Sequence, residues 1–81
     1  MSTEERVVAM ANQIARNIAA QGGSDPAEAT AAHIRAFWDR RMKALLARHY
    51  EAAGEDLSLV AREAAAILVA EGAATAATAD G

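Results

Sequence analysis

The chain contains no cysteine. Without a thiol it can form no disulfide, give no thiolate to zinc and ligate no iron–sulfur cluster. A single proline and five glycines punctuate 81 residues, so each is a strong signal of where regular structure stops. Aromatic residues are just as scarce: one Phe, one Trp and one Tyr. No apolar run approaches the roughly 18 residues of a membrane span. Met1-Ser2-Thr3-Glu4-Glu5 is acidic where a signal peptide is basic and then apolar. The expected address is the cytoplasm, with no membrane partner.

What the chain has in quantity is alanine. Of 43 hydrophobic residues 24 are Ala and 19 are larger, which limits the apolar area that burial can use at roughly 25 cal/mol per Å². Alanine is the best helix former and offsets part of that shortage through local propensity. A chain this short buries only about 60% of its unfolded surface. One small all-α domain with a thin core is therefore expected, gaining stability from a partner.

Helix punctuation divides the sequence. Ser2 and Glu5 fit a capping box, and Val7, Met10, Ala11, Ile14 and Ile18 recur at helical spacing until Gln21-Gly22-Gly23. Asp25 then caps a second helix, with Pro26 at its first position and Glu28 completing a second box. Its stripe is Ala27, Ala31, Ile34 and Trp38, flanked by Thr30 and Phe37. Asp39 can cap a third helix bearing Met42, Leu45, Leu46, His49, Tyr50 and Ala53, closed by Gly54. Periodicity alone does not separate the second helix from the third; the capping residue favours a break at Asp39. Residues 57–70 read as a fourth helix, started by Asp56 or Ser58, with Val60, Ala61, Ala64, Ile67 and Leu68 turned inward and Gly72 as terminator.

No segment alternates as a strand would. Short connections favour a bundle of three to four short antiparallel helices over residues 1–72, with Trp38, Phe37, Met42, Leu45 and Tyr50 as the core's bulk. Residues 73–81 carry only Ala, Thr, Asp and Gly and read as a disordered tail. Asn12 sits awkwardly in mid-helix; if buried it needs a partner, which the start of the second or third helix offers.

Reactive chemistry finds little support. His33 and His49 lack metal-binding spacing, and Ser2, Ser24 and Ser58 all stand at helix starts, where a hydroxyl caps. Gly22-Gly23 follows a helix, not a strand, and lacks the pattern of a phosphate loop. No catalytic, cofactor-binding or metal residue is assigned. Net charge is −3, yet Arg35, Arg40, Arg41, Lys43 and Arg48 face only Asp39 across their stretch. This is either a solvated helix face or a basic patch suited to an acidic partner. An isoelectric point near 5.2 argues against nucleic acid.

Residues 33–42 concentrate the distinctive side chains, including Phe37, Trp38 and three of the eight basic residues. His33 reads as a partly buried imidazole or an interface contact, Trp38 as core or interface anchor, and Arg41 as a solvated or docking cation. Met10-Ala11-Asn12-Gln13-Ile14-Ala15, Ala32-His33-Ile34, Phe37-Trp38-Asp39 and Arg41-Met42 together resemble the delta subunit of bacterial NAD-dependent formate dehydrogenase over roughly residues 5–70. The family pattern has Pro between Asp and Arg where this chain has Arg40.

The resemblance implies an accessory, non-catalytic subunit that supports assembly or stability of a soluble complex. It further implies that molybdenum or tungsten pterin, iron–sulfur clusters, FMN and NAD belong to other subunits, and that the partner is the catalytic alpha subunit. The candidate interface is His33, Phe37, Trp38, Arg40, Arg41, Met42 and Lys43. Two alternatives stand beside it: a self-associating helical module that forms a homodimer when isolated, and a small DNA-binding regulator.

Overall fold

A computed structural model describes residues 2–75, which form four helices and no strand: α1 (Thr3–Ala20), α2 (Pro26–Phe37), α3 (Arg40–Ala52) and α4 (Leu59–Glu71). The helix starts follow the caps. Ser2 Oγ accepts from Glu5 N–H at 3.1 Å while the Glu5 carboxylate accepts from Ser2 N–H at 2.9 Å, closing the box. Asp25 accepts from Glu28 N–H at 3.1 Å. The reciprocal half expected of Glu28 is not formed; its carboxylate lies 3.7 Å from Arg35 instead.

The chain breaks between α2 and α3. Asp39 Oδ1 accepts from Met42 N–H at 2.8 Å, and Trp38 is extended at φ −92° and ψ 144°. An Arg in the slot after Asp39 thus does not make the two helices continuous. Of the two candidate starts for α4, Ser58 is the cap, accepting from Ala61 N–H at 3.2 Å. The helix begins at Leu59, two residues later than the sequence suggests, and Gly72 ends it in the left-handed region at φ 77°.

α1 packs on all three other helices, and α4 packs on both α2 and α3. The α1/α4 pair therefore forms the spine, with α2 and α3 flanking it. α2 and α3 have little mutual packing, so the short connection at Trp38-Asp39 does not make them neighbours in the way the connection length suggests. The core is alanine-lined: Ala11, Ala15, Ala31, Ala47, Ala61, Ala64 and Ala65 are buried around Val7, Ile34, Leu46 and Leu68. Small side chains let the helix axes approach, and the few larger ones fill the remaining space.

Three inward assignments differ from periodicity. On α1 the buried set is Val7, Val8, Ala11 and Ala15, with Ile14 and Ile18 half-buried and Met10 exposed; three packing neighbours rotate the covered face away from a single stripe. On α3 Ala47 is buried and Ala53 exposed. On α2 Phe37 is exposed although Thr30, seven residues earlier, is fully buried. Phe37 is the last helical residue, where the chain leaves the bundle and Trp38 takes the inward position.

Past Gly72, Ala73 and Ala74 donate back to the Leu68 carbonyl at 2.9 and 3.2 Å, and Ala74 is buried. The chain thus stays packed two residues beyond the expected start of the tail. Residues 76–81 of that tail lie outside the described residues.

Candidate functional site

The turn between α2 and α3 presents two consecutive aromatic residues with opposite fates. Trp38 is 7% exposed and Phe37 is 75% exposed. The indole belongs to the buried cluster, and the Trp38 backbone N–H donates to the Ile34 carbonyl at 2.9 Å. It pins the corner from below and does not present a surface. Above it, the Phe37 ring meets the His33 imidazole one helical turn earlier, with centroids 4.9 Å apart and planes at 42°. His33 is exposed, so it is not the partly buried imidazole that its place on the helix suggests.

The basic stretch is sorted by the fold. Arg35 donates to Glu71 at 2.7 and 3.1 Å, joining α2 to α4. Arg48 meets Glu4 at 3.0 Å, joining α3 to α1. The Lys43 ammonium donates to the Arg35 carbonyl at 3.0 Å, placing a cation at the C-terminal end of α2 where the helix dipole favours it. Arg40 and Arg41 are exposed and make no hydrogen bond or ion pair among the described residues. Met42 is half-buried against the core. The seven candidate residues thus divide: Trp38 and Met42 hold the corner, Lys43 caps a helix, and His33, Phe37, Arg40 and Arg41 face outward.

Phe37 and Arg40 are three residues apart, a span of at most about 11 Å between Cα atoms. An exposed ring and two unpaired guanidinium groups therefore share one corner. With Trp38 buried below and Asp39 engaged as a cap, that corner is held in place before any partner arrives, which lowers the cost of docking.

A second cluster joins α1 to α3 and to the segment that opens α4. His49 Nδ1 lies 3.1 Å from Glu4 Oε2; a carboxylate only accepts, so Nδ1 carries the hydrogen. Hydrogen bonding from His49, then from Arg48, holds the Glu4 carboxyl below its usual range. His49 Nε2 is buried without a partner among the described residues. Nearby, the Asn12 amide donates to the Asp56 carbonyl at 2.8 Å and accepts from Ser58 N–H at 2.9 Å. The partner of Asn12 is thus the start of α4, not of α2 or α3. Asn in mid-helix signalled this contact; nothing local signalled that Glu4 meets His49.

Among the described residues no group of three or more His, Asp or Glu converges on a common point, and the chain has no thiol. Without a thiol the chain cannot ligate an iron–sulfur cluster through cysteine. No helix among the described residues is long and apolar enough to cross a membrane.

No curated protein and no solved structure matches the chain. A family model matches residues 6–65, which span α1, α2, α3 and the first half of α4. That model describes the delta subunit of NADH-dependent formate dehydrogenase, FdsD, and the chain belongs to this family.

Proposed function

We propose that the chain is a non-catalytic accessory subunit that docks on the catalytic alpha subunit of a cytoplasmic formate dehydrogenase and supports its assembly or stability. A chain of this family is a subunit of a formate dehydrogenase complex and associates with other subunits of it. The observation that carries the finer reading is the outward corner of α2 and α3: Phe37 is 75% exposed in a chain whose other aromatic residues are at least half-buried. Leu59, at 71%, is also exposed, but Phe37 is the exposed ring that lies beside two unpaired arginines, and in this reading a partner covers it. Metal, iron–sulfur, flavin and nicotinamide chemistry falls to other subunits in this reading. Arg35 and Arg48 are paired with carboxylates within the chain, and the net charge of −3 disfavours a DNA backbone.

The test is production of the formate dehydrogenase subunits with and without this chain. Expected are co-purification of the chain at low salt and a lower yield of active complex in its absence. Formate-dependent NAD reduction per metal-loaded enzyme should be unchanged. Loss of turnover per loaded enzyme, or a chain that never travels with the complex, would overturn the proposal.

A further inference from the structure

We infer that the corner formed by Phe37, Arg40 and Arg41 is received by an apolar socket ringed with carboxylates on a different protein, and that this corner cannot serve a symmetric homodimer. The inference rests on the docking role proposed above and specifies the chemistry of the surface that accepts it. Phe37 supplies the apolar anchor: its ring is exposed, braced by His33 on one side and carried by a turn whose next residue is buried. Aromatic anchors of this kind dominate interface energy when a pocket desolvates them.

Charge fixes the sign of the rim. Of the five cations between residues 35 and 48, the two bonded to carboxylates lie on the faces turned to α4 and α1. The two left unpaired, Arg40 and Arg41, lie three and four residues after the exposed ring in the chain. Asp39 is the only carboxylate in this stretch, and its oxygen is taken by Met42 N–H. The corner thus shows two unpaired cations, Arg40 and Arg41, against one anion, Asp39, that is engaged as a cap. Two planar guanidinium groups at the same corner as an exposed ring match carboxylates bordering an apolar pocket.

The same charges argue against a second copy as occupant. A two-fold interface centred on Phe37 brings the same patch of both copies together, so four guanidinium groups, Arg40 and Arg41 of each copy, would crowd around one small area. Like charges so placed cost free energy in a partly desolvated interface.

The experiment uses the full-length chain and the immobilised catalytic alpha subunit from the same complex, with binding measured across a salt series. Phe37→Ala should weaken binding by at least about 30-fold at every salt concentration, as a hot-spot anchor does. Arg40→Glu/Arg41→Glu should slow association by roughly 10-fold or more at low salt, with the difference shrinking as salt rises. Since all three side chains are exposed, Phe37→Ala should melt like wild type and the double variant no lower than wild type, because carboxylates suit the first turn of α3; the melts thus separate binding from folding.

If wild type binds and either set of variants binds equally well, the inference fails while the accessory role stands. If wild type itself does not bind the alpha subunit, the accessory role fails and the inference falls with it. Sedimentation of the isolated chain supplies the remaining arm: a monomer supports the inference, and a dimer dispersed by Phe37→Ala overturns it.

Discussion

Asn12 and Ser58, 46 residues apart in the chain, are joined by a 2.9 Å hydrogen bond from the Ser58 backbone N–H to the Asn12 amide oxygen. The nitrogen of the same amide holds the Asp56 carbonyl at 2.8 Å. One side chain on α1 thus satisfies both a donor and an acceptor of the segment that opens α4. It also explains why α4 starts at Leu59: the Ser58 N–H is occupied, and its hydroxyl is free to cap. Asn12→Ala should lower stability by about 1–2 kcal/mol, two net hydrogen bonds less the gain in helix propensity. A urea melt with an unchanged midpoint would contradict this role.

Glu4 makes the acid limb of stability predictable in sign. Its carboxyl is held low in the folded state by His49 and then Arg48. A depressed folded value means the stabilisation is present at neutral pH and is lost as pH falls through the ordinary carboxylate range and below. Glu4→Gln should therefore be less stable than wild type at neutral pH, with the two melting curves converging in acid. A difference that grows on acidification would reverse the assignment.

Much of this architecture is legible in the sequence because it rests on local chemistry. Ser2, Asp25 and Asp39 announce their helices through side chains that reach N–H groups three residues on, and Gly72 ends one through its backbone freedom. The contacts that escape such a reading depend on the third dimension. Phe37 keeps helical step with buried Thr30, yet it lies where α2 ends, so periodicity assigns it to the core and position leaves it in water. The basic stretch similarly appears as one patch until the fold pairs Arg35 with Glu71 and Arg48 with Glu4.

Arg40 occupies the first position of α3, after Asp39 at φ −81° and ψ 174°, a backbone region compatible with a following proline. Arg40→Pro should stabilise the isolated chain by about 0.4–1 kcal/mol by restricting the unfolded state. It also removes a cation from a helix start that disfavours one. Because the same change strips charge from the docking corner, it should slow association with the alpha subunit. A variant that melts lower than wild type would show that the turn at Asp39 does not have the geometry described.

The measurement that tests the account most directly compares Phe37→Ala with Trp38→Ala for both thermal stability and retention in the formate dehydrogenase complex. The two rings are adjacent in sequence and opposite in exposure. Trp38→Ala should cost about 3–5 kcal/mol and lose the complex because the fold fails. Phe37→Ala should keep the wild-type melting temperature and still be lost from the complex. A Phe37→Ala chain that melts normally and co-purifies in full would contradict the claim that this corner is the chain's point of attachment.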